Sequence, residues 1–235
     1  GLAYAKVNGN KAVIIEVNSE TDFVAKNEEF KGLVETIAET VLNSDAKTND
    51  EVLALEVEGK TINDLIIEKI SKIGEKLSFR RFALVEKADD EVFGTYSHMG
   101  GKIVTLTLLS GNDEELAKDI AMQAAAMRPT YLNRDEVPEE IIDKERTILT
   151  EQAENEGLDS NKIPMIVNGR LNKFYEEVCL LDQPYVKDPS KTIILISILY
   201  FTTFRRTKQQ FSKNVNTFSA RLVYSADQKV PILHT

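Results

Sequence analysis

Along the first half of the chain, apolar positions fall into two alternating textures: short runs of aliphatic residues bounded by turn signals, and longer stretches where apolar side chains recur every three or four positions. Tyr4–Val7 and Ala12–Val17 are two such runs, separated by Asn8-Gly9-Asn10, and Asn-Gly is a strong hairpin signal because both residues tolerate positive φ. A helix is predicted at about Glu28–Leu42, with Phe30, Leu33, Val34, Ile37, Ala38 and Val41 on one face. Another is predicted from an N-cap at Thr61 to about Ile73, with Gly74 as its stop. Lys76–Glu86 then reads as a strand.

The textures repeat. Tyr96–Met99 and Lys102–Leu109 read as strands around a Gly100-Gly101 turn, and Leu116–Met127 as an alanine-rich helix ended by Arg128-Pro129. Setting Lys11 on Lys102 brings Gly9 onto Gly100, Val13 onto Val104, Ile15 onto Leu106 and Val17 onto Leu108. The expected fold is therefore α+β: two related units, each an antiparallel sheet with helices on one face. The copies differ in the link from strand to helix. The second uses Ser110-Gly-Asn-Asp-Glu-Glu115, the first the longer Ser19-Glu-Thr-Asp-Phe-Val-Ala-Lys-Asn-Glu-Glu29, which places Phe23 and Val24 on a connection. Exposed apolar side chains there carry a cost. Either Phe23 folds back onto its own core, or it anchors a partner.

Residues 137–180 have a third texture. Val137, Ile141, Ile142, Ile148 and Leu149 make one helical stripe, begun by Pro138 with acids near the positive end of the dipole. Ile163, Ile166, Val167, Leu171, Phe174, Tyr175 and Val178 make a second, beyond a break at Gly157–Asn161. Two amphipathic helices with a short polar link predict an antiparallel hairpin, its second arm weakened by Pro164 and Gly169. The expected domains are 1–90, then 91–135 together with 181–204, with 136–180 as the inserted hairpin and 205–235 as an atypical, poorly ordered tail.

Charge sharpens this picture. The formal net charge is -9, against a broad nucleic-acid-binding face. From Thr192 on, Arg205, Arg206, Lys208, Lys213, Arg221 and Lys229 face one acid, Asp227, so a boundary is expected near Thr192. Within that end, Ile193–Phe204 or Arg221–Tyr224 could supply a closing strand. The single cysteine, Cys179, reads as a small buried residue rather than a nucleophile, and a reducing, cytoplasmic setting fits. Gly1-Leu-Ala-Tyr-Ala5 lacks the pattern of a signal peptide, and the longest apolar stretch is too short to span a membrane.

Catalytic signals are sparse. No Walker loop, dinucleotide fingerprint or spaced Cys/His set occurs, so no cofactor or metal is expected and the chain does not read as an enzyme. Gly100-Gly101-Lys102 is better explained as a turn than as a phosphate loop. His98 is a candidate for acid–base or metal chemistry, but only His234 could join it in a multi-histidine site. Arg80-Arg81 could hold phosphate, although in a strand one of an adjacent pair is expected to face solvent.

The stretch Thr21-Asp-Phe-Val-Ala-Lys-Asn27 resembles the signature of the elongation factor Ts family. Lys72-Ile-Gly-Glu-Lys-Leu-Ser-Phe-Arg-Arg-Phe82, Asp119-Ile-Ala-Met-Gln-Ala-Ala-Ala-Met127 and Gly169-Arg-Leu-Asn-Lys-Phe-Tyr-Glu-Glu-Val-Cys-Leu-Leu181 are similar to further parts of it, in the same order. The resemblance covers about residues 1–191. It implies two antiparallel-sheet subdomains with a protruding helical hairpin, elongation factor Tu as partner, and accelerated GDP release. It also implies contact through Thr21, Asp22, Phe23, Val24, Ala25, Lys26 and Asn27, with Asp22 and Phe23 pressed near the magnesium and phosphate site, and with His98 and Met99 as second candidates. The family's N-terminal helical module is not matched, so weaker binding and exchange are expected. A module that holds the GTPase without exchanging its nucleotide stays open as an alternative, as does the oligomeric state.

Overall fold

A computed structural model describes residues 1–196 and the backbone of 221–225; the expectations for 197–220 and 226–235 lie outside the described residues. Two units are distinguished, Gly1–Ala125 with Ser219–Thr235, and Ala126–Phe218. The architecture is α+β, with small antiparallel sheets and helices.

In the first unit, β1 (Leu2–Asn8) and β2 (Lys11–Ser19) form the expected hairpin. A one-turn helix α1 (Asp22–Lys26) follows, then α2 (Glu28–Leu42), α3 (Asn49–Ala54), the short pair β3 (Glu56–Val57) and β4 (Lys60–Thr61), and α4 (Ile62–Ile73). The Thr61 and Asp64 side chains cap α4 reciprocally, and Gly74 ends it at φ 80°, a left-handed conformation that favours glycine. Strand β5 (Leu77–Glu86) pairs with β2, giving the order β1-β2-β5. The second sheet contains β6 (Glu91–His98) and β7 (Ile103–Ser110), followed by α5 (Glu114–Met127). Its third strand is Arg221–Ser225, antiparallel to β7. Of the two stretches the sequence offers for that place, Arg221–Tyr224 lies in this strand, and the other, Ile193–Phe204, falls outside the described residues beyond 196.

The sheets stack through the faces that carry no helix. Val13, Ile15 and Val17 of β2 meet Phe30, Leu33, Val34 and Ile37 of α2. The alternate residues Ala12 and Ile14, with Ala3, Ala83 and Val85, meet Val104, Leu106 and Leu108 of β7. On the other face of β7, Thr105 Oγ1 donates to Ala121 O at 2.7 Å and Thr107 Oγ1 to Ala117 O at 2.9 Å, which seats α5. The unit is thus layered helix, sheet, sheet, helix. That explains why β2 and β7 are nearly continuous apolar runs rather than clean alternations: both faces are covered.

At the open end of the inter-sheet layer lies Glu16, 2% exposed. A bulge at Glu16/Val17 drops Arg80 from the register, so Arg80 and Arg81 both turn to this one carboxylate, at 2.7 and 2.6 Å. One of the pair, Arg80, is exposed, as expected of strand neighbours, but the bulge lets it reach Glu16 as well. Their charge neutralises a buried acid inside the fold.

The second unit holds α6 (Glu139–Asn155) and α7 (Ile163–Val178), the expected antiparallel hairpin, zipped by Leu149, Ala153, Ile163, Val167 and Leu171. Arg170 grips both oxygens of Glu156 at 3.1 and 2.6 Å near the bend. Pro164 does not weaken α7 as expected, because it sits in the first turn, where its missing N–H would have no partner in any case. The short strands β8 (Pro184–Tyr185) and β9 (Asp188–Thr192) follow, and residues 193–196 are helical. No described helix is long and apolar enough to cross a membrane.

Candidate functional site

The connection from β2 to α2 is where sequence reading and structure differ most usefully. It is not an irregular loop but α1, a helix of five residues. A single turn is not stable alone, and this one is held at several points. Val24 and Ala25 turn inward, at 6% and 4% exposure, and join the core beneath α2. Asn27 closes the turn, its N–H donating to Val24 O at 2.9 Å, while its side-chain oxygen accepts from Glu29 N at 2.7 Å and so caps α2. Thr21 stands at the N-cap position but does not cap with its side chain. Its hydroxyl donates to Glu75 Oε1 at 2.7 Å and its N–H to Glu75 Oε2 at 3.0 Å.

With Val24 and Ala25 anchored inside, helical geometry turns Asp22, Phe23 and Lys26 outward. Phe23 is 85% exposed. It has not folded back onto its own core. Beside it is a shallow hollow lined by Val24, Asn27, Glu29, Lys72 and Ile73. The motif therefore divides: Val24, Ala25 and Asn27 build the support, and Asp22, Phe23 and Lys26 form the outward face.

The second candidate, the β6–β7 turn, reaches the same place. Met99, Gly100 and Gly101 all take positive φ, at 52°, 66° and 90°. Gly101 O accepts from Ala3 N at 2.8 Å, and a Cβ at residue 101 would lie 3.0 Å from Ala3 O, so glycine lets the turn sit against β1. Lys102 then extends its ammonium to Asp22 Oδ2 at 2.7 Å. That hydrogen bond, with the lysine's charge, holds the Asp22 carboxyl below the usual carboxylate range. His98 stacks on Tyr96, rings 6.2 Å apart and inclined by 16°, and Met99 is 63% exposed. The two sequence-distant candidates are thus joined through Asp22 and Lys102. Glu75 lies in the stretch Lys72–Phe82 and Lys102 in the Gly100-Gly101-Lys102 turn, but neither was a site candidate; their contacts with Thr21 and Asp22 bring them to the site.

Chemically this is a presentation surface. An exposed aromatic tip stands next to a carboxylate, Asp22, whose partner Lys102 lies on the turn that carries the exposed Met99. Among the described residues no group of three or more His, Cys, Asp or Glu could hold a metal. Cys179 lies in the second unit, and burial pushes its thiol up to about 12, away from any nucleophilic role at neutral pH.

The sequence model of the family described as Elongation factor TS matches residues 20–197, a span that contains α1, the β6–β7 turn and the helical hairpin. The chain belongs to the elongation factor Ts family. A protein of Pediococcus pentosaceus named Elongation factor Ts is 53% identical over 193 residues, which is 82% of this chain and 66% of that relative. The chain thus spans just under two thirds of that relative's length. The family match includes the whole outward face built on α1, while the strand Arg221–Ser225 lies beyond it.

Proposed function

We propose that this chain promotes GDP release from elongation factor Tu, and so the exchange of GDP for GTP, by inserting Phe23 with Asp22 near the magnesium and phosphate site of that GTPase. The observation that carries the reading is Phe23, 85% exposed on a turn whose next two residues, Val24 and Ala25, are buried. Family membership supplies the kind of partner, and the Asp22–Lys102 contact supports a second footing through His98 and Met99.

The mechanism is linkage. The factor lowers GDP affinity only as far as it prefers the nucleotide-free shape of the GTPase, and GDP weakens the factor by the same amount. Phe23 provides such a preference if its ring is buried only in the emptied state. Burying a phenylalanine is worth about 1.5–3 kcal/mol, or about a tenfold to hundredfold effect on release. Asp22 adds a negative charge directed at an anion site. No bond in the nucleotide is made or broken, and no cofactor is required. A reducing cytoplasm is the setting in which this partner would be met.

The test is stopped-flow release of fluorescent GDP at saturating factor. Phe23→Ala should bind, remain folded and accelerate release about tenfold to a hundredfold less than the parent. An unchanged release rate in the folded variant refutes the insertion. Binding of the parent without any acceleration would return the alternative, a module that holds the GTPase without exchange.

A further inference from the structure

Phe23 needs a fixed base, and the base is a clasp between two segments far apart in sequence. The paired register of β2 and β5 ends at Ser19↔Leu77. Beyond it the ladder is continued by side chains. Glu75 accepts both the N–H and the hydroxyl of Thr21, at 3.0 and 2.7 Å, and Glu20 Oε2 accepts the Lys76 N–H at 3.2 Å. Gly74, left-handed at φ 80°, ends α4 immediately before this point and turns the chain so that Glu75 follows. Each strand end therefore offers a carboxylate to the other's backbone.

We propose that Glu75 is a positioning residue for nucleotide exchange, holding Thr21 so that the first turn of α1 presents Phe23 in one orientation. The inference rests on the exchange reading above. Thr21 is two residues before Phe23, and its side chain, engaged by Glu75, makes no cap of its own. With so short a helix, the orientation of the first turn depends on what grips its N-terminal end. Asp22–Lys102 is a weaker grip, a single contact between two exposed side chains. Glu75 takes two donors of one residue with both its oxygens, which restrains direction as well as distance.

A positioning role has a signature that a general stabilising role lacks: it acts only through Phe23. In the fluorescent-GDP assay with the full chain, Glu75→Ala should lower the release rate at saturating factor by roughly threefold to tenfold, with little change in the factor concentration giving half the effect. Glu75→Gln, which keeps one acceptor oxygen, should fall between. In the Phe23→Ala background, Glu75→Ala should add no further loss. A second readout needs no GTPase. A nitroxide on Phe23→Cys should become more mobile when Glu75→Ala is added, while one on Met99→Cys should not change; native Cys179 is buried and does not compete for the label. Thermal melts establish folding, and Glu75→Gln decides if the alanine variant is unfolded. Losses that multiply in the double variant, an unchanged nitroxide at position 23, or a parental rate for Glu75→Ala while Phe23→Ala is slow each overturn the positioning role. A parental rate for Phe23→Ala defeats the exchange reading itself, and with it Glu75's part in exchange.

Discussion

Replacing Gly94 by alanine should damage this fold more than its size suggests. Gly94 lies in β6 opposite Thr107 of β7. A Cβ built there would lie 2.1 Å from Ala117 O, 2.2 Å from Ala117 C and 2.6 Å from Thr107 Oγ1. The first two are helix backbone, which cannot rotate away as a side-chain tip would. Helix α5 must retreat by about 1 Å, and overpacking of this kind costs about 1–3 kcal/mol. The retreat also stretches the bonds from Thr105 and Thr107 to Ala121 O and Ala117 O, each worth about 0.5–1.5 kcal/mol. Together the expected loss is about 2–6 kcal/mol, a substantial share of the roughly 5–15 kcal/mol of a typical domain. Gly169→Ala in α7 is the matched control. A Cβ there meets nothing within 4 Å, so removing a helix-interior glycine should stabilise by about 0.5–1 kcal/mol. Urea unfolding followed by circular dichroism reads both changes, and hydrogen exchange assigns each to its own unit. Loss of less than about 1 kcal/mol in Gly94→Ala would refute the close seating of α5 on β6.

The division of the motif predicts opposite stability effects for neighbours. Phe23→Ala should leave unfolding within about 0.5 kcal/mol of the parent, whereas Val24→Ala should cost about 2 kcal/mol, and equal effects in urea melts would contradict the orientation of α1. Glu68, bonded to Lys60 and Lys72 at 2.6 and 2.8 Å, has its carboxyl lowered to about 2 by those bonds, from 4.5. A depressed folded value means the contribution is present above about pH 4.5 and lost as pH falls through about 2. Parent and Glu68→Gln should therefore differ in melting temperature at pH 6 and converge near pH 2, and a difference that grows on acidification would reverse the assignment.

The elements with a long period were legible in the sequence. Helix α2 occupies the expected Glu28–Leu42, and Thr61 and Gly74 bound α4 as their chemistry indicated. What was hidden depends on contacts that no local pattern encodes. Five residues are too few for periodicity, so α1 reads as a loop. A continuous apolar run does not say which of its faces meets a helix and which a sheet, so the stacking of β2 on β7 was not visible. The bulge that turns Arg80 and Arg81 onto Glu16 is a register property of two strands, not of either alone. One miss had a signal. Thr48 and Glu51 have the spacing of a capping box, and Thr48 Oγ1 indeed accepts from Glu51 N at 3.2 Å to start α3.

The two hairpin-and-helix copies explain why the tip is on the first and its support partly on the second. Strand β7 passes to α5 through Gly111, Asn112 and Asp113, with the Asp113 side chain accepting from Leu116 N at 2.8 Å. That short route suffices to connect strand and helix, so α1 is not needed for connection in the first copy. An added turn at a strand end would ordinarily be loose. Here it acquires anchors from three directions: its own core through Val24, the start of β5 through Glu75, and the other copy through Lys102. The third anchor exists only because the sheets stack through their bare faces, bringing the β6–β7 turn against β1 at Ala3 and Gly101. The pairing of the copies therefore does more than bury a core. It gives an inserted helical turn a fixed mount for one exposed ring, and under the insertion proposed above such a mount would let the partner's distortion, rather than the tip's own, account for the binding energy.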